Sequence, residues 1–418
     1  MAKGKHVEKD KIQLRALMNA LLGTVVEYFD YGLYGFSAFV LKDAFFPKSN
    51  PEQGLMYTFI VLMMGYLVKP LGSIYFGSLG DRCGRRKSLT LTILGMCIPT
   101  FFIGCLPTYA SVGVFATASI VVCRLLQGFF AGGEYDGAAL YVLEHVPESR
   151  RGFGASLTRA AAVMGLFFGS VTVSFFGLEV FPTWAWRIPF LLSLPLALLV
   201  FWLRSSMGET PEFERMKNKG VQHQPYVQVL RDHFKNIALV SLTCGAIGGS
   251  YQFTFIFLKS YFQLIDFPMS GSLFSTALFV FACSMILSGV AADHFGFKRV
   301  VVFGVCNILF GVIFLIQGLS SFQESIVFLG LVGLAVTIAP LSSLMHAVIY
   351  SHFPVEARYR AVGLGHTLGS TILSGATPML STYLYTVSGN MMLPFLFLIC
   401  LVLTGGGLLS FFLVKKSA

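Results

Sequence analysis

Long apolar runs of about 20 residues recur along the whole chain and leave few folds open to it. Hydrophobic residues make up 55% of the 418 residues and charged residues only 12%, whereas soluble domains carry about 25% charged residues. The runs do not alternate polar and apolar residues, as the strands of a membrane β-barrel do. The pattern therefore predicts an all-α integral membrane protein.

We predict twelve transmembrane helices, joined mostly by short loops, so that consecutive helices run antiparallel. Their predicted bounds are 14–40, 55–79, 88–106, 112–134, 153–178, 187–204, 236–262, 271–291, 299–318, 324–349, 361–386 and 391–414. The polar segment 205–235 lies at the midpoint. It predicts a cytoplasmic linker between an N-terminal six-helix bundle (1–204) and a C-terminal one (236–418).

The basic residues are unevenly distributed between the loops. Most of the 30 Lys and Arg fall in the N-terminal tail, in every second loop or in the C-terminal tail. Cytoplasmic loops of membrane proteins carry this excess, so both termini are predicted to be cytoplasmic. Topology thus accounts for the net charge of +10, and the predicted partner is the lipid bilayer rather than a nucleic acid.

Motifs for bound metals and for enzyme chemistry are absent from the sequence. The eight Cys are scattered without a CxxC pair, and they are typical of small core residues. The chain has no GxxxxGK[ST] loop, no HExxH and no GxSxG. We therefore predict no cofactor, no metal site and no enzymatic activity.

Two similar cation-rich loops, GDRCGRRK at 80–87 and ADHFGFKR at 292–299, lie about half a chain length apart. Each joins two long apolar runs. The repetition indicates that one membrane-buried unit occurs twice, related by a pseudo-twofold axis. Duplicated membrane units are typical of proteins in which one half moves against the other.

Four charged residues fall in the middle third of predicted spans, namely Glu27, Asp30, Lys69 and Arg124. A charge there costs about 2.5–3.5 kcal/mol, so such residues usually have a function. We interpret them as a polar chamber in which Glu27 or Asp30 exchanges a proton, while Lys69 and Arg124 hold an anionic group. The alternative is a static buried ion pair that only fixes helix register.

Aromatic residues crowd the first and seventh predicted spans and include Tyr28, Tyr31 and Tyr251. Aromatic rings can cage a quaternary ammonium group by cation–π attraction. Core packing is the alternative role. Lys259 lies near the outer end of its span, where its side chain could instead extend to the membrane interface.

The segment GSLGDRCGRRK at 77–87 closely resembles a signature loop of the major facilitator superfamily. The resemblance implies a cytoplasmic latch in which an aspartate and the arginines after it contact an acid at the end of the fourth helix. The matching residues are Asp81, Arg82, Arg85, Arg86, Glu134 and Asp136. The second copy keeps the aspartate as Asp293 but has fewer basic residues, so a differently made latch is expected there.

Further motifs resemble the metabolite:proton symporter branch of that superfamily: VVEYFDYGLYGF at 25–36, RLLQGFFAGGEYDGA at 124–138 and WAWRIPF at 184–190. The resemblance implies a monomeric symporter of a bacterial inner membrane. It would import a small carboxylate-bearing solute with protons, either a zwitterion such as proline or glycine betaine, or a dicarboxylate such as 2-oxoglutarate. Lys69, Arg124 and Arg187 would suit a carboxylate-bearing solute, and Lys259 could hold the second carboxylate of a dicarboxylate. An uncoupled facilitator and a membrane sensor that binds the solute without moving it are the alternatives.

Overall fold

The computed structural model describes residues 2–47, 50–133, 139, 142–143, 146–205, 225–350 and 352–417, and these residues are almost entirely helical. They form twelve long helical units, some of them with a short interruption. We call these units rods and label them α1 to α12. The rods are α1 Ala2–Phe36, α2 Pro51–Cys83, α3 Arg85–Cys105, α4 Val114–Ala131, α5 Arg151–Phe176, α6 Ala185–Trp202, α7 Tyr226–Leu264, α8 Gly271–Phe295, α9 Phe297–Ser320, α10 Glu324–Tyr350, α11 355–388 and α12 Met392–Ser417. Short helices at Ala38–Phe45 and Tyr109–Val112 lie between the rods.

Ten of the rods are long and apolar enough to cross a membrane, counted over the described residues. The other two, α1 and α11, fall short of that standard. The reason is their polar content within the predicted membrane depth: Glu27 and Asp30 lie in α1, and His366 and several Ser and Thr lie in α11. The predicted all-α membrane fold is confirmed.

The rods differ from the predicted spans mainly at their ends. α2 begins at Pro51, where the Asn50 side chain accepts a hydrogen bond from the Glu52 N–H at 3.1 Å. Such capping is typical of helix starts. α7 begins at Tyr226 with a kink at His233, so the last part of the predicted linker is helical. The rest of that linker, 206–224, lies outside the described residues.

The two halves repeat one packing pattern. In the first half α1 packs on α5 and α2 on α4, and in the second half α7 packs on α11 and α8 on α10. Small residues allow these close approaches. A Cβ atom added at Gly165 in α5 would lie 2.2 Å from the Val25 carbonyl oxygen, and one at Gly369 in α11 would lie 2.0 Å from that of Ser241.

The repeated loops have the same backbone turn. Gly84 separates α2 from α3 with φ of +98°, and Gly296 separates α8 from α9 with φ of +91°. Each glycine donates its N–H back to a carbonyl four residues earlier, at 3.1 Å and 3.0 Å. Because L-residues with side chains rarely adopt this conformation, the turn explains why both copies keep glycine here.

The halves meet along two seams, α5 against α8 and α2 against α11. Ser170 in α5 and Ser275 in α8 share a hydrogen bond of 3.0 Å. Thr371 in α11 donates to the carbonyl of Tyr66 in α2 at 2.7 Å. These seams bound a central space to which both halves contribute.

Candidate functional site

A cavity lies between the halves. It is lined by α1, α2 and α5 from the first half and by α7 and α11 from the second. Its polar lining residues are Glu27, Tyr28, Tyr31, Tyr66, Lys69, Arg159, Tyr251, Gln252, His366, Ser370 and Ser374. The cavity is therefore a mixed site, with both signs of charge and four tyrosines.

The charged lining residues come from the first half alone. Glu27 is 3% exposed on α1 and Lys69 is 7% exposed on α2. Arg159 on α5 donates to the hydroxyl of Tyr28 at 3.5 Å. One carboxylate and two cations thus face a space that a molecule of both charges could occupy.

The tyrosines surround the same space from both halves. The rings of Tyr31 and Tyr66 meet edge to face with centroids 5.3 Å apart. The Lys69 Nζ atom lies 5.3 Å from the Tyr31 centroid and 5.7 Å from that of Tyr66. On the opposite side, Tyr251 stacks on Phe281 with centroids 6.3 Å apart. The structure thus brings Tyr28, Tyr31 and Tyr251 to the lining of one cavity.

Asp30 and Arg124 lie apart from the cavity, inside the first bundle. The Thr100 hydroxyl donates to Asp30 Oδ2 at 2.5 Å, and Gln127 Nε2 donates to the Thr100 hydroxyl at 2.5 Å. Arg124 Nη1 donates to Gln127 Oε1. All four side chains are 0% exposed. The predicted single chamber is therefore two sites, a cavity and a buried chain of hydrogen bonds.

Tyr31 lies between the two sites. The Arg124 guanidinium packs over the rings of Tyr31 and Tyr34, at 5.4 Å and 4.5 Å from their centroids. Its Nε and Nη2 atoms have no hydrogen-bond partner among the described residues. The Tyr31 ring is thus close to both Lys69 and Arg124. The tyrosine ring is the short physical connection between the cavity and the Asp30 network.

Several contacting residues were missed by the sequence analysis. Gln127 follows Arg124 by three residues and so shares its helix face, a signal that was available. Gln252 on α7 donates to the Tyr66 hydroxyl on α2, a contact between halves without a sequence signature. The buried rings of His346 and His366 lie 5.4 Å apart on α10 and α11, a pairing that sequence distance hides.

Arg187 and Lys259 are outside the cavity lining. Arg187 donates from Nη1 to the carbonyls of Gly104 and Leu106 at 2.9 Å and 2.6 Å. Its guanidinium also lies 4.6 Å from the Trp186 ring centroid. These contacts hold the end of α3 to the start of α6, so the structure does not bring Arg187 to the cavity. Lys259 is three residues beyond Ile256, which lines the cavity from α7.

Asp293 joins the halves at the predicted cytoplasmic face. Its Oδ1 accepts from the Gly152 N–H at 2.8 Å and its Oδ2 from the Phe153 N–H at 2.9 Å. These are backbone groups in the first turn of α5, where a helix favours negative charge. Among the other predicted latch residues, Arg86 is exposed. Glu134 and Asp136, and the side chains of Asp81, Arg82 and Arg85, lie outside the described residues.

The fold and cavity define a class of membrane proteins, the secondary transporters, in which two helical halves enclose a central site. Residues 16–266 match the family described as sugar (and other) transporter. The chain is 31% identical over 421 residues to the glycine betaine/proline/ectoine/pipecolic acid transporter OusA of Dickeya dadantii, covering 97% of this chain and 83% of that one. It is also 31% identical to the proline/betaine transporter of Salmonella typhimurium, covering 94% and 81%.

Among solved structures, the partially occluded inward-open xylose transporter XylE of E. coli is similar, with a TM-score of 0.71 and 17% identity over 98% of both chains. The chain belongs to the sugar (and other) transporter family of the major facilitator superfamily. It is a multi-pass membrane transporter and not an enzyme, as predicted.

Proposed function

We propose that this protein is a proton-coupled symporter that imports a small zwitterion of the proline or glycine betaine type. The observation that carries the proposal is the composition of the cavity, whose lining combines Glu27 and four tyrosines with Lys69 and Arg159. The relatives named for proline and betaine transport support the same solute class.

The cavity suits a molecule with one positive and one negative end. A quaternary or secondary ammonium group is attracted to tyrosine faces, by about 0.5–2 kcal/mol for each favourable contact. Glu27 would pair with the same group. The carboxylate of the solute would then contact Lys69 and Arg159. A dicarboxylate such as 2-oxoglutarate would place a second negative group near Glu27 or among the rings, so we rank it second.

The proposed proton site is Asp30, with Glu27 as the solute-contacting acid. Asp30 is fully buried, and its Oδ1 atom has no hydrogen-bond partner among the described residues. Its other oxygen is connected through Thr100 and Gln127 to the Arg124 cation, which touches Tyr31 at the cavity. A proton on Asp30 changes the charge balance of this network, and the Tyr31 ring is positioned to transmit that change.

Transport of purified protein in proteoliposomes tests the proposal. With an imposed inward proton gradient, labelled proline or glycine betaine should accumulate inside, and a protonophore should abolish the accumulation. An internal pH dye should report proton movement in proportion to solute movement.

The competing functions give different results in the same vesicles. A facilitator would equilibrate the solute without accumulation, and a sensor would bind it without flux. Accumulation of 2-oxoglutarate but not of either zwitterion would overturn the proposed solute class while leaving proton coupling in place.

A further inference from the structure

Lys259 is a buried cation without a polar partner. Its Nζ atom is inaccessible to solvent, and it has no hydrogen-bond acceptor and no carboxylate partner in the part of the chain that the structure describes. The ammonium group is therefore enclosed by protein. Buried charges in proteins are normally paired, and intramembrane ones usually have a function.

The ammonium group is held between aromatic rings at the contact of the two halves. Nζ lies 4.8 Å from the centroid of Phe36 on α1 and 5.5 Å from that of Phe274 on α8. Cation–π attraction of about 0.5–2 kcal/mol offsets only part of the cost of removing an ammonium group from water. An anion bound beside Lys259 would therefore lower the free energy of the buried ammonium group.

Lys259 lies at the end of the cavity farthest from the predicted cytoplasmic face. Gly35 and Ile256 line that end, and a Cβ at Gly35 would come within 2.8 Å of Ile256 Cδ1. Lys259 follows Ile256 by three residues, about 4.5 Å further along α7. The π-helical segment Phe253–Phe257 ends two residues before Lys259. A separation of α1 and α7 at this end would expose the ammonium group to a solute that enters from the outer side.

We propose that Lys259 is the outer capture point for the carboxylate of the transported solute, which then passes to Lys69 and Arg159 in the cavity. The inference rests on the proposed function. It adds a second anion-binding position on the solute's path, separated from the cavity by the Gly35–Ile256 contact. The ligand group is a carboxylate, and the aromatic pair Phe36 and Phe274 returns to the ammonium group once the solute has moved inward.

The test compares Lys259→Gln and Lys259→Arg with wild type in proteoliposomes, using labelled proline and unlabelled prolinamide, which lacks the carboxylate. In Lys259→Gln the KM for proline should rise roughly 10-fold or more, with the maximal rate within about twofold, because a charge-assisted contact is lost. Inhibition by prolinamide should be unchanged, and Lys259→Arg should restore most of the affinity. Lys298→Gln, at an exposed position beyond Gly296, is the matched control for loss of one positive charge.

Chemical modification tests the sidedness. In Lys259→Cys, a membrane-impermeant aminoethyl thiosulfonate added from outside should restore a lysine-like group and the low KM, whereas a sulfonatoethyl reagent should not. Treated wild type controls for the native cysteines.

Three results would overturn the inference: an unchanged KM in Lys259→Gln, equal changes for proline and prolinamide, or no modification from outside. If wild type transports proline normally in those cases, the proposed function survives. If wild type takes up no carboxylate solute, the proposed function and the inference fail together.

Discussion

Glu27 and Asp30 are one helical turn apart, yet their surroundings differ. Glu27 faces the cavity, and Asp30 faces Thr100 inside the first bundle. Three residues of an α-helix turn by about 300°, which leaves the two side chains about 60° apart around the helix. That angle is enough to place one acid in each site, so their variants should behave differently.

We expect Asp30→Asn to abolish accumulation of proline against its gradient while exchange of labelled for unlabelled proline continues. The reason is that exchange needs no net proton movement, whereas an amide cannot carry the proton. Glu27→Gln should instead raise the KM for proline roughly 10-fold, because a charge-assisted contact to the solute is lost. Counterflow and gradient-driven uptake measured on the same vesicles separate the two outcomes.

The assignment of roles would be reversed if Glu27→Gln lost accumulation and kept its KM. Asp43→Asn, an exposed acid paired with the adjacent Lys42 at 2.9 Å, is the matched control and should leave both measurements unchanged.

Sequence reasoning assigns the charged residues to positions along their helices, because apolar runs and helical rise define those positions. It did not separate Asp30 and Arg124 from the cavity, since depth says nothing about the rotation of a helix about its axis. Tyr66, Gln252 and Thr371 were unpredictable for another reason. Their contacts cross between halves, and those contacts depend on how the finished bundles pack.

At the scale of elements, the turn between α2 and α3 and that between α8 and α9 depend on glycine. Gly84→Ala or Gly296→Ala places a methyl group on a backbone with φ near +98° or +91°. We expect each change to lower stability by about 1–2 kcal/mol. Thermal denaturation in detergent measures the effect. Gly407→Ala, within α12 where an added Cβ meets nothing within 4 Å, is the control and should be neutral or stabilising.

The contact of Asp293 with α5 is a second feature at this scale. A carboxylate on two backbone N–H groups at a helix start is worth about 1–2 kcal/mol more than a neutral amide. Asp293→Asn should therefore loosen the seam between α5 and α8, and solute affinity should change little because Asp293 does not line the cavity.

Labelling measures this loosening. Ser156 is buried at the seam, where a Cβ on Gly289 would lie 2.3 Å from its hydroxyl oxygen. A cysteine at position 156 should react about 10-fold faster with a thiol reagent in the Asp293→Asn background. The reason is that a loss of about 1–2 kcal/mol of seam stability raises the fraction of molecules with an open seam by about that factor. Equal labelling rates with and without the change would argue against a latch at this position. The exposed-site change Lys298→Gln should leave the rate unaltered.

For the whole molecule, the seam between α2 and α11 bears on how the halves separate. Thr371 donates to the Tyr66 carbonyl and is absent from the cavity lining. Thr371→Val keeps the side-chain shape and removes one hydrogen bond of about 1 kcal/mol. We expect about a fivefold shift toward separated halves, seen as a longer distance between spin labels on α2 and α11, with the KM for solute nearly unchanged.

Thr172→Val is the control for that experiment, since its hydroxyl bonds only within its own helix, to the Phe168 carbonyl at 2.7 Å. If Thr371→Val raised the KM for solute and left the distance between the spin labels unchanged, the residue would belong to solute binding instead.

The low hydropathy of α1 and α11 has a consequence for biogenesis. Each packs closely on one more apolar helix of its own half, α1 on α5 and α11 on α7. During synthesis α7 is already in the bilayer when α11 emerges, so α11 can pack against α7 as soon as it is made. α1 emerges first, and α5 follows only after some 115 residues more have been made, counted between the end of one helix and the start of the other. The first half should therefore depend on the insertion machinery or a membrane chaperone to retain its leading segment, and the second half should not.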